Sequence, residues 1–164
     1  MADSFHVRRD LLAIGLLLVG ILSVGWRPVN TDAALRKRFS EHRDALDSLA
    51  TMAMADTQLV GFGPSVMFVK DTPTYNRRLT DPEIRASGRS RFQPLLRRAG
   101  LPALSRQRDG DAIWFVVESH DGSRKGYMYS RTPKEPVLGS LDAAGGYGYV
   151  ALAPRWFLFL QPAD

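Results

Sequence analysis

AIWFVVESHDGSRKGYMYS, residues 112–130, is the stretch whose reading decides the fold. Two runs rich in β-branched and aromatic residues flank His120-Asp121-Gly122-Ser123, and an Asp-Gly pair supplies the positive φ angles of a tight hairpin turn. The half ending in KGYMYS places Lys125, Tyr127 and Tyr129 on one strand face and Gly126, Met128 and Ser130 on the other. Gly126 removes a side chain where a helix or a neighbouring backbone must come close, and Met128 fills the gap beneath it. The face with Lys125, Tyr127 and Tyr129 is then expected to point outward or into a shallow groove; the strand reads first as hairpin architecture and second as a ligand site, with these three residues as the candidate contacts.

Outward from this hairpin the C-terminal half stays β-rich. YGYVALA and RWFLFLQ form a second candidate hairpin across Pro154-Arg155, reached through the proline-bearing RTPKEP, the PVLGSLD segment and the glycine cluster AAGGYG. Upstream, LVGFG and SVMFVK on either side of Gly63-Pro64 read as short strands, followed by a polar loop, DTPTYNRR. In TDPEIRASGRSRFQPLLRRAG, Thr80, Asp81, Pro82 and Glu83 carry the pattern of a capped first turn. Pro94 is expected to divide or kink this region and Gly100 to end it, giving two short helices.

Residues 32–55 read as one long amphipathic helix. Leu35, Phe39, Leu46, Leu49 and Ala53 recur at helical spacings, and Thr31 or Asp32 can cap the start. His42 and Arg43 interrupt the stripe. The fold class expected is α+β, with this helix packed on one face of a curved antiparallel sheet, and residues 30–164 forming a single domain.

The N-terminal 29 residues read differently. Leu11 to Trp26 is an uncharged apolar run behind Arg8 and Arg9. At about 1.5 Å per residue it spans roughly 24 Å as a helix, close to the roughly 30 Å of a hydrocarbon core. No face of it is polar, which argues against a soluble amphipathic helix. It is expected to be an uncleaved signal anchor of the inner membrane; the alternative is a signal peptide cleaved near Gly25, after small residues Ser23 and Gly25. Arg27, Arg36, Lys37 and Arg38 compete with Arg8 and Arg9 for the cytoplasmic side, but the arginines abutting the run favour a periplasmic C-terminal domain.

Composition narrows the chemistry. With 45% hydrophobic and 24% charged residues the chain can build a core, and its net charge of +5 suits anionic partners. The absence of cysteine excludes disulfides, thiol nucleophiles and thiolate metal sites. Histidines occur only at positions 6, 42 and 120, without metal-ligand spacing, so neither a metal nor a cofactor is expected. GFG and AGGYG lack the strand-to-helix setting of a phosphate loop and read as turns.

Arg77, Arg78, Arg85, Arg89, Arg91, Arg97 and Arg98 crowd one stretch that holds only Asp81 and Glu83 as acids. Guanidinium groups suit bidentate contacts to phosphate and carboxylate, and beside a membrane each adds about 1 kcal/mol of attraction to anionic headgroups. Arg85, Arg89 and Arg91 are therefore the second set of candidate binding residues.

The combination of FSEHRDALDSLATM at 39–52, KGYMYS at 125–130, SLD at 140–142 and RWFLFL at 155–160 resembles a group of small exported bacterial proteins of uncharacterised function. The resemblance covers most of positions 39 to 160 and implies a fold and an exported compartment; it brings no activity. The ending QPAD departs from the group. The function expected is a membrane-tethered extracytoplasmic binding or interaction module of the cell envelope, without catalysis. Its partners would be anionic lipid headgroups or an envelope protein, with nucleic acid disfavoured by the compartment. The alternative is a small periplasmic hydrolase using His42 or His120 with a carboxylate such as Asp142.

Overall fold

A computed structural model describes residues 30–63, 66–72, 76–120, 122–135, 137–142 and 148–162. The expected membrane segment, Leu11 to Trp26, lies outside them. Among the described residues no helix is long and apolar enough to cross a membrane. Residues 31–164 form a compact unit of their own.

The fold is α+β, built on an eight-stranded sheet in which every pairing of neighbouring strands is antiparallel. In chain order the strands are β1 (Leu59–Phe62), β2 (Met67–Lys70), β3 (Asn76–Leu79), β4 (Leu104–Arg106), β5 (Ala112–His120), β6 (Ser123–Ser130), β7 (Gly148–Ala153) and β8 (Trp156–Pro162). Their spatial order is β3-β2-β1-β4-β5-β6-β8-β7. The β5–β6 hairpin forms the centre, with Ile113 opposite Tyr129 and Phe115 opposite Tyr127, and Gly122 takes the positive φ of 74° that its turn requires. β3 and β4 fall in stretches without strand signals; Asn76–Leu79 reads as polar loop because it is an edge strand with one buried side chain, Leu79.

The expected helix at 32–55 is two helices, α1 (Asp32–Glu41) and α2 (Arg43–Ala55), separated at His42, whose φ of −116° and ψ of 17° leave the helical region. Separation lets the two stripes meet different surfaces. α1 sends Phe39 against Tyr127 and Trp156, at ring separations of 5.7 and 5.3 Å, whereas α2 packs against α4 and β5. Thr31 caps α1 by accepting from Ala34 N–H. That leaves Asp32, in the first turn, available for another partner.

α3 (Asp81–Ala86), a 3₁₀ turn (Arg89–Arg91) and α4 (Phe92–Arg98) cover the far end of the same sheet face. Thr80 and Glu83 form the expected capping box. The division falls at Gly88, with φ of 69°, and not at Pro94. Pro94 occupies the first turn of α4, where its missing N–H costs nothing. Gly100, at φ of 62°, ends α4 as expected.

The core lies between the helices and one face of the sheet, and contains Leu35, Leu46, Leu49, Phe92, Phe115, Tyr127, Trp156 and Leu158, all buried. Trp156 donates from Nε1 to Asp47 Oδ1 at 2.8 Å, so its one polar atom is satisfied on burial. The opposite sheet face carries a smaller cluster around Ala112, Met128 and Phe159, with Trp114, Val116, Tyr149 and Phe157 packed onto it.

Candidate binding cleft

The KGYMYS strand is architecture. Its face with Lys125, Tyr127 and Tyr129 points toward the helices, correcting the expectation that it is presented outward. Tyr127 is fully buried, its hydroxyl donates to the Leu35 carbonyl at 3.0 Å, and burial pushes its phenol up to about 12. Tyr129 is half-buried, edge-on to Trp156, with its hydroxyl 3.4 Å from Arg155 Nη1. The orientation could not be read from the strand itself because both faces are covered: Met128 and Ser130 are buried too. Gly126 has the anticipated role. A Cβ there would collide with the Phe115 carbonyl oxygen, beside the bulge between Val116 and Glu118.

Lys125 anchors a buried ionic network. Its Nζ lies 2.6 Å from Asp142 Oδ1 and 2.9 Å from Asp32 Oδ1, the latter an ion pair without hydrogen-bond direction. Asp32 Oδ2 accepts from Leu141 N–H at 2.6 Å and Ser140 Oγ at 2.9 Å, while Asp142 Oδ2 accepts from Asp32 N–H at 2.9 Å. Burial alone raises the Asp32 carboxyl, but the Lys125 charge beside it and the hydrogen bonds from Leu141 and Ser140 outweigh burial and hold the group below its ordinary range. The same pairing outweighs burial at Lys125 and raises it. The KGYMYS and SLD motifs thus meet in space to pin residues 140–142 against the start of α1.

His42 is not joined to Asp142, which is engaged by Lys125. His42 occupies the break between α1 and α2, with no carboxylate partner for its imidazole among the described residues. His120 pairs with Ser123 through the β5–β6 ladder, and its side chain lies outside what is described.

The arginine stretch divides by role. Arg77 pairs with Glu83 at 2.6 Å, and the Thr80 backbone N–H, helped by Arg77 and the Thr80 hydroxyl, holds that carboxyl down to about 2. Arg89, expected as a ligand contact, instead grips Asp56 through Nε at 2.5 Å and Nη2 at 2.9 Å, and ties the 3₁₀ turn to the end of α2. Each of these side chains is only 18% exposed, so Arg89 is a structural tie. Arg91, Arg97 and Arg98 are exposed.

Arg85 and Arg78 share a cleft. A depression of about 600 Å³ lies between the β1–β2 end, β3, α3 and α4. Phe62, Val66 and Ile84 provide its apolar lining, Arg78 and Arg85 its cations, and Asp81, Ser90 and Gln93 its remaining polar groups. Arg85 is exposed and has no ion pair among the described residues. Two guanidinium groups over an apolar floor can hold a carboxylate or phosphate whose attached group is apolar. Sequence inspection places Arg85 in a basic stretch, but Phe62 and Val66 join it only through the antiparallel return of β2 and β3. No family model matches the chain, and no curated protein and no solved structure matches it, so the resemblance to small exported proteins rests on its motifs alone.

Proposed function

We propose that the chain is a binding module of the bacterial cell envelope, tethered to the inner membrane by Leu11 to Trp26, with residues 30–164 on the periplasmic side. Its cleft engages an anionic envelope component, a lipid headgroup or an acidic segment of an envelope protein. The single observation that supports this reading is the pairing of Arg78 and Arg85 over Phe62, Val66 and Ile84. Such a site binds charge and apolar surface together, and the net charge of +5 steers anionic partners toward the domain. Arg91, exposed nearby in the chain, adds to the local field.

The test has two arms. An alkaline phosphatase fused after Asp164 is active if the domain is exported, because the reporter needs an oxidising compartment to form its disulfides. The mass of the product distinguishes a retained anchor from cleavage near Gly25. In the second arm, Arg85→Glu in the detergent-solubilised full chain should lose co-purification with envelope components while keeping the wild-type melting temperature. Undiminished co-purification overturns the cleft as the binding surface, and an inactive reporter overturns the compartment.

A further inference from the structure

A second groove, independent of the first, opens on the sheet face that the helices leave uncovered. It occupies about 300 Å³ where the turn after β4 meets β5, β6 and β8. Trp114 and Phe159 form its aromatic floor, Arg106, Arg108 and Arg124 its cations, and Gln107 and Gln161 its amides. We propose that this groove is a binding site for an acidic saccharide, one hexuronate-like ring seated on Trp114 with its carboxylate toward Arg108 and Arg124.

Two features converge on that class. First, Trp114 is half-buried and held by Phe159, edge-on at 88° with ring centroids 4.7 Å apart; a fixed indole in a groove suits the apolar C–H face of a sugar. Second, the lining of this groove carries Arg106, Arg108 and Arg124 and no Asp or Glu. Acidic sugars carry an apolar C–H face and an anionic acceptor on the same ring.

Single-stranded nucleic acid fits less well. It needs successive separate stacking platforms, whereas Trp114, Tyr149, Phe157 and Phe159 are locked against one another at angles of 40 to 88°. Gln161 is held in the same lattice by its 3.1 Å bond to the Tyr149 hydroxyl.

Calorimetric titration of the detergent-solubilised full chain tests the site with an oligogalacturonate, a neutral malto-oligosaccharide and oligothymidylate of equal length. The oligogalacturonate should bind, the neutral sugar at least about tenfold more weakly, and Arg108→Glu and Trp114→Ala should each weaken the oligogalacturonate about tenfold, equivalent to about 1.4 kcal/mol. Arg108 is exposed, so its variant reports on binding even if the Trp114 variant unfolds. Absence of oligogalacturonate binding, equal binding of the neutral sugar, tighter binding of oligothymidylate, or indifference to Arg108→Glu overturns the proposal. Arg85→Glu should leave this titration unchanged, which keeps failure of the cleft distinct from failure of the groove.

Discussion

Lys125 Nζ stands 2.6 Å from Asp142 Oδ1 and 2.9 Å from Asp32 Oδ1, a single cation shared by two carboxylates that lie 110 positions apart in the chain. Lys125→Met removes that cation and leaves Asp32, whose side chain is only 9% exposed, without its counter-charge. Loss of one partner from a buried pair costs about 3–5 kcal/mol. Adding Asp32→Asn to Lys125→Met should recover part of that loss, because the stranded charge goes with it. Urea midpoints of the two variants check both statements.

The network also sets a pH window. Asp32 titrates below its ordinary 3.8, so its contribution is present above that value and is lost as pH falls through the depressed folded value. Lys125 titrates above its ordinary 10.5, so its contribution is present below that value and is lost as pH rises through the raised one. The contribution of this network should therefore be level between about pH 5 and pH 9, and should shrink at both extremes. The difference in melting temperature between the wild type and the Lys125→Met, Asp32→Asn double variant, followed against pH, isolates it.

Glu83 offers a more local titration. The Thr80 backbone N–H, Arg77 and the Thr80 hydroxyl all stabilise its charged form, with the carboxyl at about 2 in place of 4.5. In a carbon-detected NMR titration Glu83 should change charge near pH 2, and Arg77→Ala should move that midpoint upward. A midpoint in the ordinary glutamate range would show that the capping box does not persist in solution.

Gly126 permits no side chain. Its Cβ position falls on the Phe115 carbonyl oxygen and within 2.9 Å of Val117 N, both backbone atoms of the paired strand. Gly126→Ala must push β5 and β6 apart at the centre of the sheet, and overpacking of this kind costs about 1–3 kcal/mol. At Gly122 the conflict is with φ, since a Cβ there meets open space. Gly122→Ala should therefore cost less, about 1 kcal/mol, and leave hydrogen exchange in β5 unchanged.

These cases mark what the chain discloses in order and what it does not. The turn at Gly122, the Thr80 and Glu83 box and the stop at Gly100 were legible because each is decided by neighbours within a few residues. The inward turn of Lys125 was not, because its partners Asp32 and Asp142 arrive from distant segments and the strand is covered on both faces. β4 has only three residues and β3 carries Asn76, Arg77 and Arg78, so neither shows an apolar alternation. The cleft was half legible: its arginines stand together in sequence, whereas the apolar floor depends on the pairing of β1 with β2 and of β2 with β3.

Arg85 and Arg89 lie four residues apart and should behave in opposite ways. Arg89 makes a two-pronged contact to Asp56, and that pairing holds the Asp56 carboxyl below its ordinary range even though burial opposes it. Arg89→Ala strands Asp56 at the end of α2, where a hydrogen-bonded charge contributes about 1.5–3 kcal/mol, so the melting temperature should fall clearly. Arg85 is exposed and ties no element to another, so Arg85→Ala should change stability by no more than about 0.5 kcal/mol. Binding in the cleft should be lost in the Arg85 variant and kept by whatever fraction of the Arg89 variant stays folded. Equal destabilisation by the two substitutions would contradict this division of the arginine stretch, and thermal melts of the two proteins side by side decide it.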